Sequence, residues 1–360
     1  MFQLPDLDGL FAALHADGYR IVGPTVSAGA IVLAELDRPA HLPYGVRVET
    51  APGHYRLRPG PARQAFTHTA GPQAWKEFLQ PSPERLWRGT RDDEGFRVDA
   101  AEEPPRPTAL LGVRPCDLRA LGILDGVLGD GERYARRRAA SLVIAVDCTE
   151  PGEACFCVSA GGGPAARSGF DIGLVERPDG GYLARAATDR GTDLLARLAA
   201  PEASDVEVTT ARKAVDEAAA RMGRRLPEVD LRDLLTRHRT DDTYWSAIAE
   251  RCLACANCTM VCPTCFCARV TDVTDLTGEH AERWQRADSC FDPDFSYVHG
   301  GPVRSSTGAR YRQWISHKFA TWHDQFGGSG CVGCGRCVVW CPVGIDITAE
   351  LHALAQRDRS

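Results

Sequence analysis

Two runs of cysteine at one spacing constrain this chain more than any other feature. Cys252-Leu-Ala-Cys255-Ala-Asn-Cys258-Thr-Met-Val-Cys262-Pro263 and Cys331-Val-Gly-Cys334-Gly-Arg-Cys337-Val-Val-Trp-Cys341-Pro342 both read C-x2-C-x2-C-x3-C-P. A [4Fe–4S] cube needs four thiolates at tetrahedral corners. Three closely spaced cysteines in a tight loop supply three corners, and the fourth, carried away on the following helix, binds the other cube. Proline after it turns the chain out of the helix. The expected ligand sets are therefore crossed: Cys252, Cys255, Cys258 and Cys341 for one cube, Cys331, Cys334, Cys337 and Cys262 for the other. Ala254, Ala256, Gly333 and Gly335 are small, so the backbone can approach each cube and offer N–H groups to its sulfides. Structural zinc sites more often join two C-x2-C or C-x2-C/H-x3-H arms across a longer loop. A single cube could be a staple, but a crossed pair implies an electron relay.

The rest of the composition agrees. Of 15 cysteines in 360 residues, 11 fall between Cys252 and Cys341, which separates a cysteine-rich C-terminal part from the remainder. The first 18 residues carry three Asp and no basic n-region, so they read as an amphipathic helix and not as an export signal. No apolar run approaches bilayer length. The expected setting is cytoplasmic, where clustered thiols stay reduced and bind metal, with no membrane insertion. A net charge of −6 argues against a nucleic-acid partner.

The first 240 residues read as an α/β domain and residues 241–360 as a helical dicluster ferredoxin-like domain, an α+β chain overall. Short strands are expected at 19–22 and 30–34, paired strands at 46–50 and 54–57, and short helices at 75–79 and 82–87. No chemistry-bearing motif is apparent before residue 105. Thr108–Val113 and Ser141–Val146 are short apolar runs, hence buried strands, and a helix opening at Pro115 lies between them. The basic tract 133–138 reads as a solvated connection. Strand, helix, strand makes a βαβ unit with parallel strands, whose C-terminal ends share one sheet edge. Cys116 and Cys148 follow those ends, and Cys155 and Cys157 return on the loop after Cys148. Four thiols at one edge suit a third cluster, with zinc or a redox disulfide as the alternatives. Ile172–Glu176 and Tyr182–Ala186 form a hairpin around Asp179-Gly180-Gly181, and helices follow at 194–198, 211–222, 231–238 and 244–249. Asp230, and Asp241 or Asp242, are expected to cap the last two.

The motifs are separated by 68 residues between Cys262 and Cys331, an insertion at 263–330. It carries Cys265, Cys267 and Cys290, one thiol short of a cube, to which structural or supporting roles are given; a grouping of Cys155 and Cys157 with Cys265 and Cys267 stays open. The stretch from Arg310 to Phe319 is basic and aromatic. Its preferred reading is an amphipathic helix with snorkelling basic ends, the alternatives a partner-docking face or a source of positive charge near a cluster. Neither a dinucleotide fingerprint nor a catalytic constellation stands out.

The chain resembles the beta, iron–sulfur subunit of NAD(P)-linked NiFe hydrogenases of the sulfhydrogenase type, a family that includes the A subunit of anaerobic sulfite reductase. The carriers are Gly112-Val-Arg-Pro-Cys116-Asp117-Leu-Arg-Ala, Asp147-Cys148 with Cys155-Phe-Cys157, Cys262-Pro-Thr-Cys265-Phe-Cys267, Arg310-Tyr-Arg with His317-Lys318-Phe319, and the second motif. The resemblance implies a non-catalytic subunit with two [4Fe–4S] clusters. It would pass electrons between a flavin- and NAD(P)H-binding subunit and the small and large NiFe hydrogenase subunits, or a sulfite reductase subunit. A self-contained iron–sulfur flavoenzyme is the reading from a different class.

Overall fold

The computed structural model describes residues 1–93, 95–99 and 104–359. Its strands of three or more residues, in chain order, are β1 (Phe2–Leu4), β2 (Arg20–Ser27), β3 (Ala30–Glu35), β4 (Val46–Ala51), β5 (His54–Pro59), β6 (Glu84–Asp92), β7 (Gly95–Asp99), β8 (Thr108–Val113), β9 (Ser141–Val146), β10 (Ile172–Glu176), β11 (Tyr182–Ala186), β12 (Ala268–Thr274) and β13 (His280–Ala287). Seven of them form one sheet in the order β1-β11-β10-β9-β8-β2-β3. β2, β8, β9 and β10 run parallel, and β3, β11 and β1 are antiparallel additions at the edges.

The apolar strands are buried because both sheet faces are covered. Every residue of β8 and β9 is buried. Ala109, Leu111, Leu142, Ile144 and Val146 pack into one core with the N-terminal helix Asp8–Ala16, while Leu110, Val113, Val143 and Ala145 pack into another with the helix Pro115–Leu128. This is the βαβ unit expected from the sequence, and its C-terminal edge faces the cysteine-rich part.

Two local expectations are corrected. Residues 82–87 are not a helix: Glu84 opens β6, which pairs with β13 and β7 in a second sheet of order β12-β13-β6-β7. The partner strand comes from the insertion, about 200 residues downstream, so nothing local could reveal it. The tract 133–138 lies in a helix, Glu132–Ala139, and is not a solvated connection. Arg133 and Arg137 both donate to the buried Glu84 carboxylate, and Arg138 donates to Asp125.

The C-terminal core is built from Trp245, Ile248, Tyr311, Trp314, Ile315, Phe319, Val338, Leu351 and Leu354. Tyr55, Ala154, Phe156 and Ala160 from the first half belong to the same core. Asp230 and Asp241 cap the helices Leu231–Arg237 and Asp242–Ala249, accepting from Asp233 N and Tyr244 N at 3.1 Å each. Among the described residues no helix is long and apolar enough to cross a membrane.

Candidate metal centre

Cys252, Cys255, Cys258 and Cys341 line one cavity, together with Phe291, Tyr311, Trp314 and Cys337. The loop turns tightly because Ala254 and Ala256 adopt φ of 51° and 65°, and the helix Asn257–Met260 then carries Cys258. Backbone N–H groups already reach sulfur: Ala254 N lies 3.4 Å from Cys252 Sγ and Ile345 N lies 3.2 Å from Cys341 Sγ. Burial, then the neighbouring thiols, push Cys258 well up. Tyr311 Oη and Trp314 Nε1 are buried without a hydrogen-bond partner, and both residues line this cavity. Thiols that repel one another when ionised, beside orphaned donors, fit a cationic iron core with bridging sulfides.

Cys262 is an electrostatic neighbour of Cys331, Cys334 and Cys337, so the second crossed set also gathers. Here Gly333 and Gly335 take φ of 68° and 76°. Burial pushes Cys331 up to about 12, partly offset by Lys318. Cys262 behaves oppositely: its hydrogen bond with Cys265, aided by the Lys318 ammonium, holds it well below the usual thiol range. Lys318 is buried, and its Nζ donates to Cys262 Sγ at 3.3 Å and to Thr264 Oγ1 at 2.9 Å. It sits in a π-helical turn, His317–Thr321, a rare geometry that often marks functional sites. The preferred reading of this stretch as a snorkelling helix is thus corrected, since Arg310 is buried too and donates to the carbonyls of Arg304 and Ser305.

Cys116, Cys148, Cys155 and Cys157 line a third cavity at the C-terminal edge of β8 and β9. Gly333 and Cys334 complete its wall, so it adjoins the second set directly. Gly152 N lies 3.4 Å from Cys155 Sγ. The cover comes from residues 65–69. Glu176, at the end of β10, accepts from Ala65 N and Phe66 N at 2.6 and 2.9 Å, and Arg114 Nη2 donates to the carbonyls of Phe66 and His68 at 2.5 and 2.8 Å. Arg114 Nη1, His68 Nε2 and Thr69 Oγ1 are buried without partners, and all three residues line the cavity. Burial drops the His68 pKa to about 3, so its ring is neutral. Sequence reasoning missed this segment, because a lone His and Thr far upstream carry no local signal. Cys155 and Cys157 line this cavity, whereas Cys265 and Cys267 line another with Cys290. Among the described residues, no three His, Cys, Asp or Glu side chains gather as a lone metal ion requires; the thiols rim spaces instead.

Residues 251–345 match the 4Fe-4S dicluster domain. Over 246 residues the chain is 35% identical to sulfhydrogenase 2 subunit beta of Pyrococcus furiosus, covering 66% of this chain and 71% of that relative. The chain belongs to the sulfhydrogenase beta-subunit family. As a member it is an iron–sulfur protein of electron transfer. No solved structure matches it.

Proposed function

We propose that this chain is the electron relay of a NiFe hydrogenase complex, placed between a subunit that binds flavin and NAD(P)H and the small and large catalytic subunits. The observation that carries the reading is the adjacency of the thiol sets. Cys337 of the second set lines the first cavity, and Cys334 lines the third. We assign Cys252, Cys255, Cys258 and Cys341 to one [4Fe–4S] cluster, Cys331, Cys334, Cys337 and Cys262 to a second, and Cys116, Cys148, Cys155 and Cys157 to a third. Such clusters supply one-electron carriers when bound. The residues around them hold and tune: Tyr311, Trp314 and Arg114 offer donors, and Lys318 sets a positive charge against Cys262. Residues 1–240 serve in this reading as the third-cluster domain and residues 241–360 as the dicluster domain. Cys255 is exposed, with Leu253 and Val343 exposed beside it, which suits a partner docking over the first set.

The test is iron content and EPR of the full chain, reconstituted anaerobically. About twelve irons per chain are expected from these three cubes, and any further site adds to that number. Cys341→Ser should damage the signal shared with Cys255→Ser and spare the one lost in Cys334→Ser. Cys148→Ser should remove about four irons while both other signals persist. Four irons or fewer in the unaltered chain, or stoichiometric zinc, would overturn the reading.

A further inference from the structure

We propose that Cys265, Cys267 and Cys290 hold a further iron–sulfur cluster, bound by three thiolates and open at its fourth iron. The proposal goes beyond the relay reading and needs only that the chain binds clusters. The placement comes from the insertion's hairpin. β12 starts directly after Cys267, and β13 ends three residues before Cys290, with Ala268 paired to Ala287. The hairpin's open end therefore brings Cys267 and Cys290 side by side, pinned by Asp288 N donating to the Cys267 carbonyl at 2.9 Å. Cys265 enters from the other side, where Lys76 Nζ donates to its carbonyl at 2.8 Å.

The three thiols line one cavity of about 390 Å³ with Arg304, Gln313, His317 and Lys318. Lys318 supplies the second observation. Its ammonium is buried and aimed between Cys262 and this cavity, and a hydroxyl and a thiol are its hydrogen-bond acceptors. Among the described residues no carboxylate pairs with it. A buried cation needs compensating negative charge; Cys262 supplies one source through its hydrogen bond to Lys318, and a cluster on the cavity side supplies a second. Each thiol releases its proton to solvent as its bond to iron forms. Three cysteines cover three irons, so the fourth would keep an exchangeable ligand, and Arg304, Gln313 and His317 line the same cavity.

An open fourth iron has a chemical signature. Ferricyanide takes one electron from [4Fe–4S]2+, one Fe2+ leaves, and [3Fe–4S]+ remains. The full chain, reconstituted anaerobically, is compared with Cys267→Ala and Cys290→Ala. Each variant is expected to lose about four irons, and the three-iron EPR signal that ferricyanide raises in the unaltered chain should disappear in both. Equal, non-zero iron in the unaltered chain and both variants would overturn this site alone, as would a Cys267–Cys290 disulfide mapped in the metal-loaded protein. Absence of iron from all three proteins would instead sink the relay reading.

Discussion

At the scale of residues, the two motifs solve one backbone problem with different side chains. Ala254 and Ala256 hold the same left-handed turns as Gly333 and Gly335. A non-glycine residue there costs roughly 1–2 kcal/mol, so the first motif tolerates a strain that the second avoids. Crowding explains the difference. A Cβ on Gly333 would lie 2.6 Å from Cys157 Cα, and one on Gly335 would run into the carbonyl of Ala154. The sequence suggests that these small residues make room for the cube; at the second motif they also make room for the loop that bears Cys155 and Cys157. Gly335→Ala is therefore expected to destabilise the reconstituted chain by about 1–3 kcal/mol. Ala256→Gly should shift stability by less than about 1 kcal/mol, strain relief and lost rigidity opposing each other. Thermal unfolding midpoints with parallel iron assays decide it, and equal losses in both variants would contradict the crowding argument.

Between elements, the decisive contact joins the start of the helix Pro115–Leu128 to the second motif. Asp117 sits where an acid favours a helix N-terminus, which the sequence does indicate. Its further partner, Arg336, is 219 residues away and not legible from local pattern. The pair is almost fully enclosed, at 2% and 3% side-chain exposure, with bonds of 2.8 and 3.2 Å, and Arg336 Nε also donates to the Gly71 carbonyl. Breaking a pair this deep leaves one uncompensated charge. Asp117→Ala is expected to cost about 3–5 kcal/mol, whereas Asp117→Leu combined with Arg336→Met should recover most of that loss. Denaturant midpoints of the three proteins give the answer, and an additive double variant would refute the coupling. The same distance effect separates what the sequence reveals from what it hides. The parallel strands β8 and β9 and the loop after Cys148 announce themselves through apolar runs and spacing. The pairing of β6 with β13, the covering segment 65–69 and the burial of Lys318 depend on residues remote in the chain, and local patterning carries no trace of them.

For the molecule as a whole, the second thiol set is the hub. Cys337 faces the first cavity, Cys334 the third, and Cys262 touches Cys265 at the edge of the insertion's cavity. A charge placed at the hub therefore bears on every neighbour. Lys318 favours the more negative, reduced form of whatever Cys262 ligates, so Lys318→Met is expected to lower that centre's potential by about 59 mV for each tenfold shift in a one-electron equilibrium. An EPR-monitored redox titration measures it, and an unchanged or raised potential would remove Lys318 from this role. The seam between residues 154–157 and Gly333–Gly335 fixes how two of these sets are spaced. One ligand loop is pressed onto another with no room for a methyl group between them. Neither loop can shift without displacing the other, so the distance between the second and third thiol sets is set by backbone against backbone and not by adjustable side chains.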